Sequence, residues 1–163
     1  MGAQKDDIAV KAVAAGAFEF GLGQAAERQT DFLQLLKQAE GHLLHQKVSV
    51  NWPSIDSSPS AISFTSPLGE IQAKFFNVLG DGGYITAGLV FFDEKPLSTS
   101  LDKRPLYSVK LMSNGEWIGS DGESMAVDHG RLTPASAFKA VRSALARKLR
   151  LDTEFVDAIG GGS

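Results

Sequence analysis

Apolar and polar residues alternate along residues 71–127, the pattern of antiparallel strands that bury one face. Three dipeptides interrupt the alternation: Asp81-Gly82, Asn114-Gly115 and Asp121-Gly122. Asp-Gly and Asn-Gly favour two-residue hairpin turns, because both central positions need a positive φ. The pattern therefore predicts an antiparallel β-meander with a strand on each side of each turn.

Folding the chain about these turns predicts which side chains share a face. The second turn places Leu111 opposite Ile118, and the third places Ile118 opposite Met125. Because side chains alternate between the two faces of a strand, one apolar face is predicted to contain Tyr107, Val109, Leu111, Ile118, Met125 and Val127. The second turn also pairs Met112 with Trp117, which are expected on the opposite face.

The first hairpin is less regular. Its turn places Val78 opposite Ile85, but the apolar positions change phase between Phe75 and Phe76. A one-residue slip moves every side chain to the other face, and a β-bulge can absorb such a slip. We therefore predict a bulge at Phe75–Phe76; a strand buried on both faces is the alternative.

Helical spacing of apolar residues precedes the meander. It predicts one helix over residues 5–20 and a second over 24–45, with a glycine hinge at 19–23. Two short strands are predicted next, at 48–52 and 61–65.

After the meander, Thr133-Pro134 predicts the start of a helix, because Thr is a good N-cap and Pro is tolerated at the first helical position. The predicted buried stripe of this helix contains Phe138, Val141, Leu145 and Leu149. Asp152 is expected to cap a separate, short last helix that ends near Ile159.

These elements predict an α+β fold. Two N-terminal helices precede a curved antiparallel meander of about six strands, and two C-terminal helices pack on one sheet face. Residues 1–159 are predicted to form a single domain, and 160–163 a Gly/Ser tail outside it.

The composition of the chain limits its expected cellular location and the kinds of reactive site it can contain. The chain has no cysteine, so it has no thiolate nucleophile, thiolate metal site or disulfide. No apolar run approaches the roughly 20 residues of a membrane span, and Asp6 and Asp7 stand where a signal peptide carries positive charge. A cytoplasmic protein that does not bind membranes is expected.

Charge is unevenly distributed. Residues 1–130 hold 10 Lys and Arg against 16 Asp and Glu, whereas residues 131–163 hold 6 against 3. In the C-terminal helix, four basic residues fall on one arc: Lys139, Arg142, Arg147 and Arg150. The arc is either a solvated helix face or a surface for an acidic protein or nucleic-acid phosphates. In the binding case, Arg142 and Arg147 should be exposed and not paired with a carboxylate.

Other candidate sites lack essential groups. His42 and His45 lie three residues apart, but no third metal ligand accompanies them. Asp128-His129 could act as a general base, but no activated nucleophile is apparent. The segment 119–123 lacks the spaced ligands of a calcium loop. No catalytic residue, metal or cofactor is predicted.

Three functional hypotheses follow. The preferred one is a non-catalytic protein-interaction module, possibly a homodimer, that uses Met112 and Trp117. The second is a single-stranded nucleic-acid-binding protein, with Trp117 or Phe92 as the stacking platform and the basic helix contacting phosphates. The third is a small-molecule pocket between sheet and helices, conceivably enzymatic through His129 or Asp128.

Overall fold

Two long helices flank six strands that form one antiparallel sheet in chain order. The computed structural model describes residues 7, 8, 10, 11, 17–53, 61–80, 83–94, 103–112, 114–127 and 130–161. The elements are α1 (Ala17–His45), β1 (Ser49–Asn51), β2 (Ala61–Ser66), β3 (Gly69–Leu79), β4 (Ile85–Asp93), β5 (Arg104–Leu111), β6 (Trp117–Gly119) and α2 (Pro134–Gly160). The predicted α+β class and the antiparallel six-stranded sheet are confirmed.

Helix α1 continues through the predicted hinge at 19–23, so the hinge is wrong. Gly21 has a packing role instead. A Cβ at this position would lie 2.8 Å from Cβ of Ile85, so the glycine lets the helix approach β4 closely. Residues 7, 8, 10 and 11 also have helical backbone.

Helix α2 begins at Pro134 with Thr133 as its N-cap residue, as predicted. It then runs without a break to Gly160, so the separate last helix is wrong. Asp152 does not cap a helix; its carboxylate accepts hydrogen bonds from Arg104 and Lys148. The described part of the chain therefore has two long helices where four were predicted.

Both helices pack against the same face of the sheet. The Phe32 ring of α1 lies 5.9 Å from the Phe75 ring and 5.2 Å from the Trp117 ring, between centroids. Inward-facing residues of the central strands join this core: Ile71, Ala73, Ala87, Leu89, Phe91, Val109 and Leu111. Leu145 of α2 is only 8% exposed, which confirms its predicted burial, but Leu149 is 50% exposed and does not belong to the buried stripe.

The three hairpins have loops of three residues, not two. Backbone hydrogen bonds close them from Gly80 N to Tyr84 O, from Met112 N to Glu116 O and from Gly119 N to Glu123 O, each 2.8 Å long. The last loop position is in each case a glycine with positive φ: Gly83 (82°), Gly115 (89°) and Gly122 (83°). A glycine at this position is typical of three-residue hairpin loops.

The longer loops shift the pairing by one residue. Trp117 pairs with Leu111, and Ile118 pairs with Lys110. Because a one-residue shift reverses which face a side chain occupies, Trp117 points into the core and Ile118 points outward. The predicted face that included Ile118, and the predicted pairing of Met112 with Trp117, are therefore wrong.

The predicted bulge is also wrong. β3 pairs with β4 without interruption from Ile71 to Leu79. Phe75 faces the core, and Phe76, at 43% exposure, faces outward, so the strand is not buried on both faces here. The irregularity lies instead between β4 and β5, where pairing shifts between Phe91 and Phe92.

Candidate functional site

The residues predicted to form an aromatic site are separated by the sheet. Trp117 is 1% exposed and lies in the core. Phe92 lies on the outward face of β4, and Met112, which follows β5, is half-buried near Gly80 and Thr86. Trp117 therefore cannot serve as a stacking platform or as part of a surface pair with Met112.

The basic arc of α2 is divided between different neighbours. Lys139 donates a hydrogen bond to the Ser124 carbonyl (2.9 Å), and Arg150 pairs with Glu154 (3.2 Å). Arg142 and Arg147 are exposed, and neither forms an ion pair with a carboxylate of the described residues. Their role in binding stays a prediction.

The arc does not share a surface with Phe92. The helix covers the inner face of the sheet, whereas Phe92 alternates with the core residue Phe91 and faces outward. A nucleic-acid site made of Phe92 and the basic arc would have to wrap around the molecule.

The outward face of the sheet carries an apolar surface that neither long helix covers. Six side chains form it, and we call it the open-face patch: Phe76, Val78, Val90, Phe92, Met112 and Ile118. Phe76 is the most exposed of the six at 43%. The other five are half-buried against one another and against the strands.

Strand register brings these residues together. Phe76 pairs with Gly88, which has no side chain, so the Phe76 ring can incline across the sheet to Phe92. The two ring centroids lie 6.5 Å apart at an interplanar angle of 65°, an edge-to-face contact. A Cβ at Gly88 would lie 3.0 Å from Cγ1 of Val78, so a larger residue here would crowd the Val78 side chain.

Two lysines lie within the open-face patch. Lys74 pairs with Val90, and Lys110 pairs with both Gly88 and Ile118. Neither lysine has a hydrogen-bond or ion-pair partner among the described residues. The outward positions of 72–78, 86–92 and 108–112 include no Asp or Glu, and the carboxylates of this face lie at its edge, at Glu70 and Glu116.

A buried ion network fixes α2 to the sheet. Asp93 (0% exposed) accepts from Arg104 at 2.7 Å and from Lys148 (3% exposed) at 3.1 Å. Asp152 accepts from the same two cations, at 2.9 and 3.0 Å. Burial opposes ionisation of Asp152, but these hydrogen bonds outweigh it and hold its pKa below the ordinary value.

A second polar contact ties β5 to the last hairpin. The Tyr107 hydroxyl donates to the Asp121 carboxylate at 2.9 Å. Burial, followed by this hydrogen bond, raises the pKa of Tyr107 above its ordinary value. A tyrosine that holds its proton so firmly is a structural donor rather than a base, and the segment 119–123 forms a hairpin turn.

The remaining candidates give no catalytic or metal site in the part of the chain that is described. His42 and His45 are exposed at the end of α1, whereas Asp128 and His129 lie outside the described residues. No group of three metal-ligating side chains occurs among the described residues. None of the helices described has the length and apolarity to cross a membrane. The cytoplasmic location stays a prediction.

Comparison with known proteins identifies no relative. No family model, curated protein or solved structure matches this chain. Function is therefore inferred from the open-face patch and the charges around it.

Proposed function

We propose that this chain is a non-catalytic protein-interaction module that binds an acidic protein segment on its open-face patch. The main support is the patch itself, in which exposed Phe76 packs against Phe92 on a sheet face that neither long helix covers. Aromatic residues and Met are enriched in interface cores, and contiguous exposed apolar surface marks interaction sites.

The two unpaired lysines favour a partner of a particular charge. Lys74 and Lys110 carry positive charge beside apolar side chains, so a complementary partner carries carboxylates beside apolar residues. A homodimer formed face to face is less favourable, because the centre of this face carries Lys74 and Lys110, whereas its carboxylates lie at the edge, at Glu70 and Glu116. A different protein is therefore preferred over the possible homodimer.

Single-stranded nucleic acid fits this surface less well. Only two of the six patch residues are aromatic, and their rings meet edge to face instead of presenting parallel stacking surfaces. The four cations of the basic arc lie on the helical side, and the net charge of −3 opposes a polyanion. Oligonucleotide binding is therefore an alternative for the experiment to exclude.

Peptide selection tests the proposal directly. Immobilised protein is used to select peptides from a random phage-displayed library, and the enriched peptides are synthesised. We expect them to combine apolar residues with Asp or Glu. Phe76→Ser should weaken their binding at least about tenfold, since aromatic anchors dominate interface energies. The matched control is Phe20→Ser, which removes an exposed aromatic (65%) from α1 and should leave binding unchanged.

Charge and class of partner are tested with the same peptides. Lys74→Gln together with Lys110→Gln should weaken binding and reduce its dependence on salt. Equal binding by the Phe76→Ser and wild-type proteins would contradict the proposal. So would tighter binding of a thymidine oligonucleotide than of any selected peptide, or a dimer mass by light scattering that Phe76→Ser converts to monomer.

A further inference from the structure

A second surface, on the helical side of the molecule, is concave and apolar. It is a groove of about 270 Å³ between the end of α1, helix α2 and the turn that joins β2 to β3. Its floor contains the buried residues Leu43, Val141 and Leu145, and Leu68 and Phe138 form its sides. Leu68 is 39% exposed, so this wall of the groove is open to solvent.

Arg142 stands at the rim of this groove. Its guanidinium lies 5.6 Å from the centroid of the Phe138 ring, over the ring face. Stacking on an aromatic face restrains the planar guanidinium without using its hydrogen-bond donors. No carboxylate of the described residues accepts a hydrogen bond from this guanidinium, so its donors are available to an anion.

Most other cations on the helices do not combine free hydrogen-bond donors with an apolar cavity. Lys148 is buried between Asp93 and Asp152, and Arg150 pairs with Glu154. Arg147 is also exposed and unpaired among the described residues, but it lines a different groove with Tyr107, Asp121 and Ser143. Arg142 alone among these residues combines free donors with an apolar cavity.

A second cavity lies next to the groove. That cavity has a volume of about 410 Å³, and it shares Gln46 and Phe138 with the groove. Small-molecule sites have volumes of roughly 300–1,000 Å³ and are mostly apolar with a few fixed polar groups. The two spaces together provide that size and that character.

We propose that this groove binds an apolar monocarboxylate, with the hydrocarbon chain on Leu43, Val141 and Leu145 and the carboxylate on the Arg142 guanidinium. The apolar floor supplies the affinity for the hydrocarbon chain of the ligand. The unpaired, planar guanidinium of Arg142 selects a carboxylate. This site is independent of the open-face patch, because it lies on the opposite side of the sheet.

Octanoate, below its micelle-forming concentration, is the probe. Isothermal titration calorimetry should show saturable binding to the wild-type protein. Arg142→Gln should weaken that binding about tenfold or more, since a charge-assisted hydrogen bond is lost. Arg147→Gln is the matched control on the same helix, and it should leave the affinity within about twofold. Octanol, which has the same chain without the charge, should bind wild type about as weakly as octanoate binds Arg142→Gln.

Three results would overturn the proposal. They are the absence of saturable octanoate binding to the wild-type protein, equal affinity for octanol and octanoate, and an equal loss in the two arginine variants. Phe76→Ser separates this site from the open-face patch, because it should weaken peptide binding and leave octanoate binding intact.

Discussion

Lys148→Met tests whether the buried ion network holds α2 on the sheet. Methionine keeps a long unbranched side chain but removes the ammonium group that contacts Asp93 at 3.1 Å and Asp152 at 3.0 Å. Lys148 and Asp93 are 3% and 0% exposed, so water cannot replace the lost ammonium. The variant therefore leaves a buried carboxylate with one cation fewer.

The expected loss of stability depends on the contacts that Asp93 and Asp152 keep in the variant. Removing one partner of a buried ion pair costs roughly 3–5 kcal/mol, because the other charge stays buried. Asp93 still accepts from Arg104 at 2.7 Å, and Asp152 is partly solvated and keeps the same arginine. We therefore expect a loss at the lower end of the range, about 3 kcal/mol in the free energy of unfolding.

Urea denaturation followed by the fluorescence of the two tryptophans, Trp52 and Trp117, measures this loss. The matched control is Arg150→Met, which removes an exposed pair with Glu154 from the same helix. Surface pairs contribute about 0–1 kcal/mol, so the control should remain near wild type. If Lys148→Met loses no more stability than Arg150→Met, the network does not fix the helix.

Three further predictions concern the core and the two titrating contacts. Leu145→Ala should lower the free energy of unfolding by about 2–5 kcal/mol in urea melts, since Leu145 is 8% exposed; a loss under ~0.5 kcal/mol, the range of surface substitutions, would show that α2 docks elsewhere. In a Tyr84→Phe variant, Tyr107 is the remaining tyrosine, and ultraviolet titration should place its ionisation above the ordinary pKa of about 10; a midpoint at or below that value contradicts the burial and Asp121 hydrogen bond. Because the folded-state pKa of Asp152 is lowered, its stabilisation is present above the ordinary value of about 3.9 and is lost as the pH falls through the folded pKa. The wild-type unfolding free energy should therefore fall more steeply below about pH 4 than that of Asp152→Asn, and parallel curves would contradict this assignment.

The positions of strands and turns could be predicted from the sequence, but the length of each loop could not. Asn114-Gly115 fits the centre of a two-residue loop and also the last two positions of a three-residue loop, because both need a glycine with positive φ. The apolar pattern did not decide between them, since Trp117 and Ile118 are both apolar and adjacent. The structure buries Trp117 and turns Ile118 outward. The shift of one residue in strand register therefore changed which side chains form the outer face.

The beginning of α2 and the burial of Leu145 followed from local chemistry. Thr133-Pro134 is a local signal, whereas a hinge was predicted at Gly21 because its close contact with Ile85, far along the chain, cannot be read from the sequence. The ion network was missed because lysine and aspartate are usually solvated. The inward positions of Ala87, Leu89 and Phe91 continue to Asp93, so the alternation did contain a signal for its burial.

Only part of the open-face patch was predicted from the sequence. Phe92 and Met112 were predicted as binding residues, and both belong to it, but Phe76 was assigned to a bulge that does not exist. Lys74 and Lys110 were not considered, because isolated strand lysines are common on solvated sheets. Their importance depends on their position among the apolar residues of the open-face patch, which becomes visible only when the strands are in register.

Mapping a selected acidic peptide by NMR tests the central claim most directly. The ¹H–¹⁵N spectrum of the labelled protein is recorded while the peptide is added. The account predicts that the largest shifts occur at Lys74, Phe76, Val90, Phe92 and Lys110, and that the helical residues Leu43 and Arg142 shift little. Shifts concentrated on α2, with the outward residues of β3 to β5 unchanged, would contradict the open face as the binding surface.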